Sequence, residues 1–200
     1  MSLLMLLLYP VISHTAIVIG QPLWSAVYLL VLIGFFLVKE LLGRKYKAAS
    51  VLMILLVAGS GLVSGERHFL IMYLPPIVIS LGLLLIFGRT LQAGRVPIIT
   101  RYAELIDGEL NDDMVLYTYR ITQAWTLFFF ILLVECISLA VFAPTAIWSL
   151  FTNVINYIAI AVMFFAEYIY RKKIFSDQPK RSFIQFMQRV VRIRPSELGV

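Results

Sequence analysis

The sequence predicts an all-α protein: a polytopic membrane helix bundle with about six transmembrane helices and additional cytoplasmic amphipathic helices. Three observations predict it. Hydrophobic residues are 61% of the 200-residue chain and charged residues 14%, against ~45–50% and ~25% in ordinary soluble domains. The apolar residues gather into six runs of near-spanning length. The Lys and Arg residues flank those runs on one side almost exclusively. A soluble domain needs a polar skin that so few charges cannot supply, and disorder needs low hydrophobicity, whereas the mean hydropathy is +0.92. The net charge of +6 admits nucleic acid as a partner. Basic residues beside apolar runs instead carry the orientation signal of membrane proteins.

The runs are Leu3–Ile19, Leu23–Val38, Ala48–Val63, Phe69–Phe87, Gln123–Phe142 and Ala146–Tyr170. A spanning helix needs about 17–25 such residues. Gly20-Gln21-Pro22 separates the first two, so the first 38 residues form a hairpin. A re-entrant hairpin that dips without crossing is the alternative. Ala143-Pro144 separates the last two runs in the same way. A removable signal peptide does not fit, because Met1-Ser2 has no basic region and five more apolar runs follow.

Orientation follows from the basic residues. Sixteen of the seventeen fall in three regions: the connection Lys39–Lys47, the long loop 88–122 and the tail 176–200 with the residues just before it. The remaining one, Arg67, lies in the short loop between runs three and four. Six crossings put the three regions on one side, which the positive-inside rule makes the cytoplasm, with both termini there. The domain organisation expected is a bundle over 1–175 followed by a basic cytoplasmic tail.

Two cytoplasmic segments have helical periodicity. In the long loop, Ile98, Ile99, Tyr102, Leu105 and Ile106 form a stripe, with Arg101 and Glu104 off it. This predicts a short helix on the membrane surface, with Pro97 in its first turn and Gly108 ending it. Asn111 then caps a helix whose Asp112 and Asp113 suit its positive end. That helix runs straight into the fifth span, with Tyr117, Tyr119 and Trp125 near the interface. In the tail, Phe183, Phe186, Met187, Val190 and Val191 oppose Arg181, Gln185, Gln188, Arg189 and Arg192. This is a basic amphipathic helix over 179–194 suited to anionic lipid; docking an acidic protein is the other use.

Glu135 is the anomaly, set well inside the fifth run. An ionised, unpaired carboxylate there costs about 2.5–3.5 kcal/mol by insertion scales, so it is protonated, paired or in a wet cavity. At ~1.5 Å per residue it lies ~10 Å below the outer end of its helix. His14 lies ~8 Å below the outer end of the first run, and Asn153 and Asn156 ~10–15 Å below that of the sixth. The two asparagines, three apart, share one helix face. Pro75 and Pro76 lie at similar depth and free backbone carbonyls. Glu135, His14, Asn153 and Asn156 are therefore the candidate intramembrane polar site. Interhelical hydrogen bonding explains it in one reading, a ligand or proton site in the other. Glu167 is explained by an i,i+4 pair with Arg171.

Catalytic and cofactor signatures are absent from the sequence: no Walker loop, no HExxH, no GxSxG, no kinase or dinucleotide fingerprint. Cys136 is the single cysteine and His14 and His68 the only histidines, so no metal and no cofactor are expected. No nucleic-acid module is present.

Several segments together resemble a known family. They are Tyr9-Pro10 with His14, Tyr73-Leu74-Pro75-Pro76, Phe87-Gly88-Arg89-Thr90-Leu91, Gly94 through Arg101, Trp148 through Asn153, and Glu167-Tyr168. The chain resembles an uncharacterised bacterial multi-pass inner-membrane family found beside genes for aryl-polyene and fatty-acid-like biosynthesis. The likeness is densest from Tyr73 to Lys173. Members are sometimes labelled ketosynthase or DNA gyrase subunit; this chain has neither a catalytic Cys/His/His arrangement nor an ATP-binding fold. The resemblance implies a role in handling acyl or polyene lipids at the inner membrane. The expected function is a non-catalytic component that holds or scaffolds lipid-linked acyl or polyene products. Its partners are membrane lipid and an acyl carrier protein or other biosynthetic proteins. Arg95, Arg101, Arg181, Arg189 and Arg192 are the candidate headgroup or carrier-protein contacts. The alternatives are a membrane acyl or headgroup transferase using Glu135 or His14 as acid/base, and a small transporter using Glu135 as a proton site.

Overall fold

Proline and glycine set the helix boundaries. A computed structural model describes residues 2–64 and 68–174, and among these it contains helices and no strand. In chain order the helices are α1 (Ser2–Val18), α2 (Pro22–Leu42), α3 (Tyr46–Ser64), α4 (His68–Thr90), α5 (Ile98–Asp107), α6 (Asp112–Phe142), α7 (Thr145–Leu150), a π-helical segment (Phe151–Ile155) and α8 (Asn156–Ile174). The all-α expectation is met. The tail helix over 179–194, with Arg181, Arg189 and Arg192, lies outside the described residues, as do Glu66 and Arg67.

Among the described residues four stretches are long and apolar enough to cross a membrane: Pro22–Leu42, Met72–Thr90, Asp112–Phe142 and Thr145–Ile174. The first and third apolar runs form helices whose described apolar stretches, Leu8–Val18 and Tyr46–Ala58, are shorter than a span. Eleven residues of helix rise ~16 Å, about half of the ~30 Å hydrocarbon layer. The outward faces are apolar in the manner of lipid-facing helices. Phe142 is 85% exposed and Val141 66%, exposures that water would penalise over so large a surface.

The described chain gathers into two compact units. The first comprises Met1–Val78 and Glu135–Tyr157, the second Ile79–Val134 and Ile158–Val200. In the first unit α1 packs against α2, α7 and the π segment, and α3 packs against α2. Small polar residues allow the close approach: Ser13 and Ser25 hydroxyls meet at 2.7 Å between α1 and α2, beside a fully buried Ala26. Pro10 lies inside α1, where it removes one backbone donor. Near that break the Tyr28 hydroxyl of α2 donates to the Met5 carbonyl at 3.0 Å. The apolar centre is Ile17, Met72 and Trp148, flanked by Tyr73, Leu139 and Ala140.

α1 and α2 end in the same motif. After α1 the Gly20 N–H donates to Ile17 O and the Gln21 N–H to Ala16 O. After α2 the Arg44 N–H donates to Leu41 O and the Lys45 N–H to Glu40 O. These paired bonds satisfy the last carbonyls and require a left-handed residue, ordinarily glycine. Gly20 fills that position with φ +76 and Arg44 with φ +56. A side chain in that region costs about 1 kcal/mol or more relative to glycine. The apolar contact that usually closes the motif is replaced by an ion pair, Lys45 Nζ to Glu40 Oε2 at 3.5 Å.

The second unit is aromatic. Trp125, Phe129 and Leu132 on α6 form its centre, against Phe87 of α4 and Phe164 of α8. Phe87 meets Phe129 edge-on at 5.0 Å and Trp125 lies 4.7 Å from Phe164. α6 runs unbroken from the loop 88–122 into the apolar run, as the sequence predicts, and the Met114 N–H donates to Asn111 Oδ1 at 2.9 Å to cap it. α5 is fixed at its start by its Ile98 N–H, which donates to Thr90 Oγ1 at 3.1 Å, and on its flank by Thr100 and Thr118 hydroxyls 2.8 Å apart. Its packed face is Ile98, Thr100 and Ala103, all buried, while Leu105 is exposed. Of the apolar stripe read from the sequence, Ile98 is buried, Ile99 packs against the Trp125 cluster, and Tyr102 and Ile106 are half-buried; Leu105 points outward. Pro97 precedes α5 as its N-cap, one residue outside the first turn, and Gly108, with φ +85, ends it.

Candidate functional site

The polar site builds from α1 outward. Ser13 and His14 are adjacent, so on a helix they point about 100° apart. Ser13 faces α2, and His14 faces α7. His14 Nδ1 lies 3.0 Å from Ser149 Oγ. Ser149 also accepts a hydrogen bond from Asn153 Nδ2 at 3.1 Å, and Ser149 is completely buried. An amide donor has filled one lone pair of the Ser149 oxygen, so its hydroxyl proton remains to serve His14 or a carbonyl. Tyr9, one turn before Ser13, lies close to the Ser13 and Ser25 hydroxyls and stacks on Tyr28 at 6.3 Å.

The π segment explains why Asn153 reaches Ser149 while Asn156 does not. The sequence places the two asparagines on one α-helical face. Through Phe151–Ile155 the chain winds as a π-helix, whose i→i+5 turns are wider, and the three-residue spacing no longer aligns them. Asn153 turns to Ser149, and Asn156 turns to α6, where its amide donates to Cys136 Sγ at 3.8 Å and neighbours the Glu135 carboxyl. Thr152, just before Asn153, spends its hydroxyl on the Trp148 carbonyl at 2.9 Å. π turns inside α-helices are frequent at functional sites.

All four predicted residues, Glu135, His14, Asn153 and Asn156, thus lie in the first unit, in two groups. His14, Ser149 and Asn153 form one. Glu135, Cys136 and Asn156 form the other. Two buried polar atoms in this unit have no hydrogen-bond partner among the described residues: Glu135 Oε1 and Trp148 Nε1. Pro75 and Pro76 lie inside α4, next to Tyr73, whose hydroxyl lies 3.4 Å from Thr145 Oγ1.

Glu167 belongs to the second unit. The sequence accounts for it by Arg171, whose charge does act on it. Its recorded hydrogen bond is with another helix: Trp125 Nε1 donates to Glu167 Oε2 at 2.7 Å. Tyr117 adds a 3.5 Å bond to the Glu167 carbonyl and stacks on Tyr170 at 6.0 Å. Tyr117 and Trp125 are buried within this unit, and both polar tips find partners on α8.

Arg95 is exposed in the α4–α5 connection, and Arg101 is half-buried on α5. Beside it, burial pushes the Tyr102 phenol above its ordinary range. Among the described residues no group of three His, Cys, Asp or Glu is placed to hold a metal ion. The sequence reading missed Ser149, Ser13, Ser25 and the Trp125–Glu167 bond. The signal available was a serine within each apolar run, which marks close helix contact in membranes.

No family model, no curated protein and no solved structure matches the chain.

Proposed function

We propose that the chain is a multi-pass protein of the bacterial inner membrane, with six crossings and both termini cytoplasmic, acting as a non-catalytic component that holds or scaffolds lipid-linked acyl or polyene products. The observation that carries this reading is the His14–Ser149–Asn153 set: a hydrogen-bonded polar group on a π segment among apolar helices. Such a group suits the polar end of a ligand whose chain lies in lipid. The acyl or polyene class comes from the resemblance of Tyr73-Leu74-Pro75-Pro76, Trp148–Asn153 and the other segments to the inner-membrane family. Arg95, Arg101, Arg181, Arg189 and Arg192 face anionic headgroups or an acidic acyl carrier protein in this reading.

The contact between His14 and Ser149 also supports a second reading, a membrane acyl transferase with Ser149 as nucleophile and His14 as base. Ser149 is completely buried and its oxygen already accepts from Asn153, which favours holding over attack. Product analysis of a deletion strain separates the two. Intact product stranded at the cytoplasmic face supports the holding role. Accumulated unmodified precursor replaces it with the transferase. An unchanged product profile and location would reject both.

A further inference from the structure

The turn between α2 and α3 breaks a local rule that its counterpart after α1 obeys. Both helices end in the same paired hydrogen bonds, and both need a left-handed residue. After α1 that residue is Gly20; after α2 it is Arg44. A glycine is present in the second turn, but one position too early: Gly43 has φ −77, which any residue adopts. The strained position is thus held by an arginine with glycine next to it. A side chain kept against backbone preference points to what the side chain does.

The surroundings say what Arg44 meets. Lys39, Arg44, Lys45 and Lys47 are all exposed. Glu40 is the single acid between Lys39 and Lys47, and its carboxylate is taken by Lys45 at 3.5 Å. The Lys39 ammonium sits 5.9 Å from the Phe36 ring. Arg44 and Lys47 have no acidic partner among the described residues. Between and beside these cations, Leu42 is 82% exposed and Tyr46 66%. The first turn of α3 begins here, and its backbone N–H groups favour a negative group. Cations, a protruding leucine and a tyrosine at the common end of two apolar helices match the headgroup layer of an anionic leaflet.

We infer that the α2–α3 turn is a binding site for anionic phospholipid headgroups. Arg44 and Lys47 hold the phosphate, with the guanidinium fork suited to two of its oxygens. Leu42 and Tyr46 sit among the glycerol and first acyl carbons. The inference rests on the membrane placement of this turn and is independent of the ligand at His14–Ser149–Asn153.

The test uses the full chain in dodecyl maltoside, titrated with dioleoyl-phosphatidylglycerol or dioleoyl-phosphatidylcholine and read by native mass spectrometry. The wild type binds phosphatidylglycerol in preference. Arg44→Gly and Lys47→Gln each lower that affinity by about fivefold, the effect of one basic residue at an anionic surface. Arg44→Gly leaves the thermal midpoint unchanged or higher, since it relieves the turn; Arg44→Asn, which also accepts the left-handed conformation, serves if the glycine variant is not recovered. Lys172→Gln, the same charge change elsewhere, has a much smaller effect. Three results overturn the inference: an equal loss in Lys172→Gln, an unchanged preference in the Arg44→Gly/Lys47→Gln double variant, or displacement of the lipid by low-millimolar inorganic phosphate, which marks a free-anion site. A turn that instead selects an acidic protein shows no phosphatidylglycerol preference in the same titration. Recovery of the chain without detergent in the soluble fraction strikes the membrane reading itself, and recovery in membranes without lipid preference strikes only this site.

Discussion

Replacing Trp125 by Phe removes one donor and leaves a carboxylate behind. Trp125 is 2% exposed and Glu167 8%, and the 2.7 Å bond between them joins α6 to α8. The indole N–H is a donor only, so phenylalanine leaves the buried Glu167 Oε2 without the donor it had. A hydrogen bond to a charged group contributes about 1.5–3 kcal/mol in soluble proteins. Between membrane helices the measured couplings average only ~0.6 kcal/mol and reach ~1.7, because the unfolded helices also find partners. The short distance and the burial of both residues place this pair near the upper end. We expect Trp125→Phe to destabilise the protein by about 2–3 kcal/mol, which adds loss of ring contacts with Phe87, Phe128 and Phe164 to loss of the bond. A double-mutant cycle with Glu167→Gln isolates the bond, with an expected coupling of about 1–1.7 kcal/mol. The assay is reversible unfolding in mixed micelles with increasing sodium dodecyl sulfate, followed by circular dichroism. A coupling below ~0.3 kcal/mol would refute the reasoning, since the carboxylate would then have found water or Arg171 without loss.

Four further outcomes are expected. Ser13→Ala alone costs about 1 kcal/mol by leaving the Ser25 hydroxyl without its 2.7 Å partner, whereas Ser13→Ala with Ser25→Ala is close to neutral; the same unfolding assay measures both, and equal costs reject the pairing. Asn111→Ala costs about 1 kcal/mol by removing the acceptor for the Met114 N–H, and amide exchange at the start of α6 should accelerate with it. Glu135→Gln stays folded and inserted because the neutral amide still hydrogen-bonds with Asn156; full complementation of a deletion strain by Glu135→Gln, with loss only in Glu135→Leu, leaves Glu135 a structural group. Reporter fusions after Lys47, Asp112 and Val200 read as cytoplasmic and those after Glu66 and Thr145 as periplasmic, and a periplasmic signal at Val200 removes the six-crossing topology.

What the sequence discloses and what it conceals divide along physical lines. Breaks written in glycine and proline, such as Gly20-Gln21-Pro22 and Ala143-Pro144, are local, and the helix ends fall on them. The capping of α6 by Asn111 is equally local. Side-chain partnership between helices is not, since it depends on rotation and order that no single run specifies. Glu135 and the two asparagines stand out in apolar runs because burying them is costly, but their partners, Ser149 and Cys136, are small residues that cost little and give no such signal. Trp125 draws attention as an indole suited to the interfacial layer, but nothing local announces that its N–H meets Glu167 of α8. The π segment conceals itself most completely, because nothing in the order Phe-Thr-Asn-Val-Ile distinguishes a π turn from an α turn, and its extra winding appears only in the hydrogen-bond pattern.

In the membrane placement proposed above, the unbroken α6 makes its first turns a lever. Its 31 residues rise about 46 Å, some 16 Å more than the ~30 Å hydrocarbon layer. The protruding part is attached to α5 through the Thr100–Thr118 contact and is stiffened by the same backbone ladder as the buried part. A helix that stands upright in a 30 Å layer tilts by about 26° when the layer thins by ~3 Å, and a rigid 16 Å extension then swings by about 7 Å. Thickness differences of that size separate natural membranes. In that placement, the orientation of α5, and of the Arg101 side chain it carries, is thereby tied to the surrounding bilayer, so that lipid composition alone repositions this surface without any ligand or partner touching it.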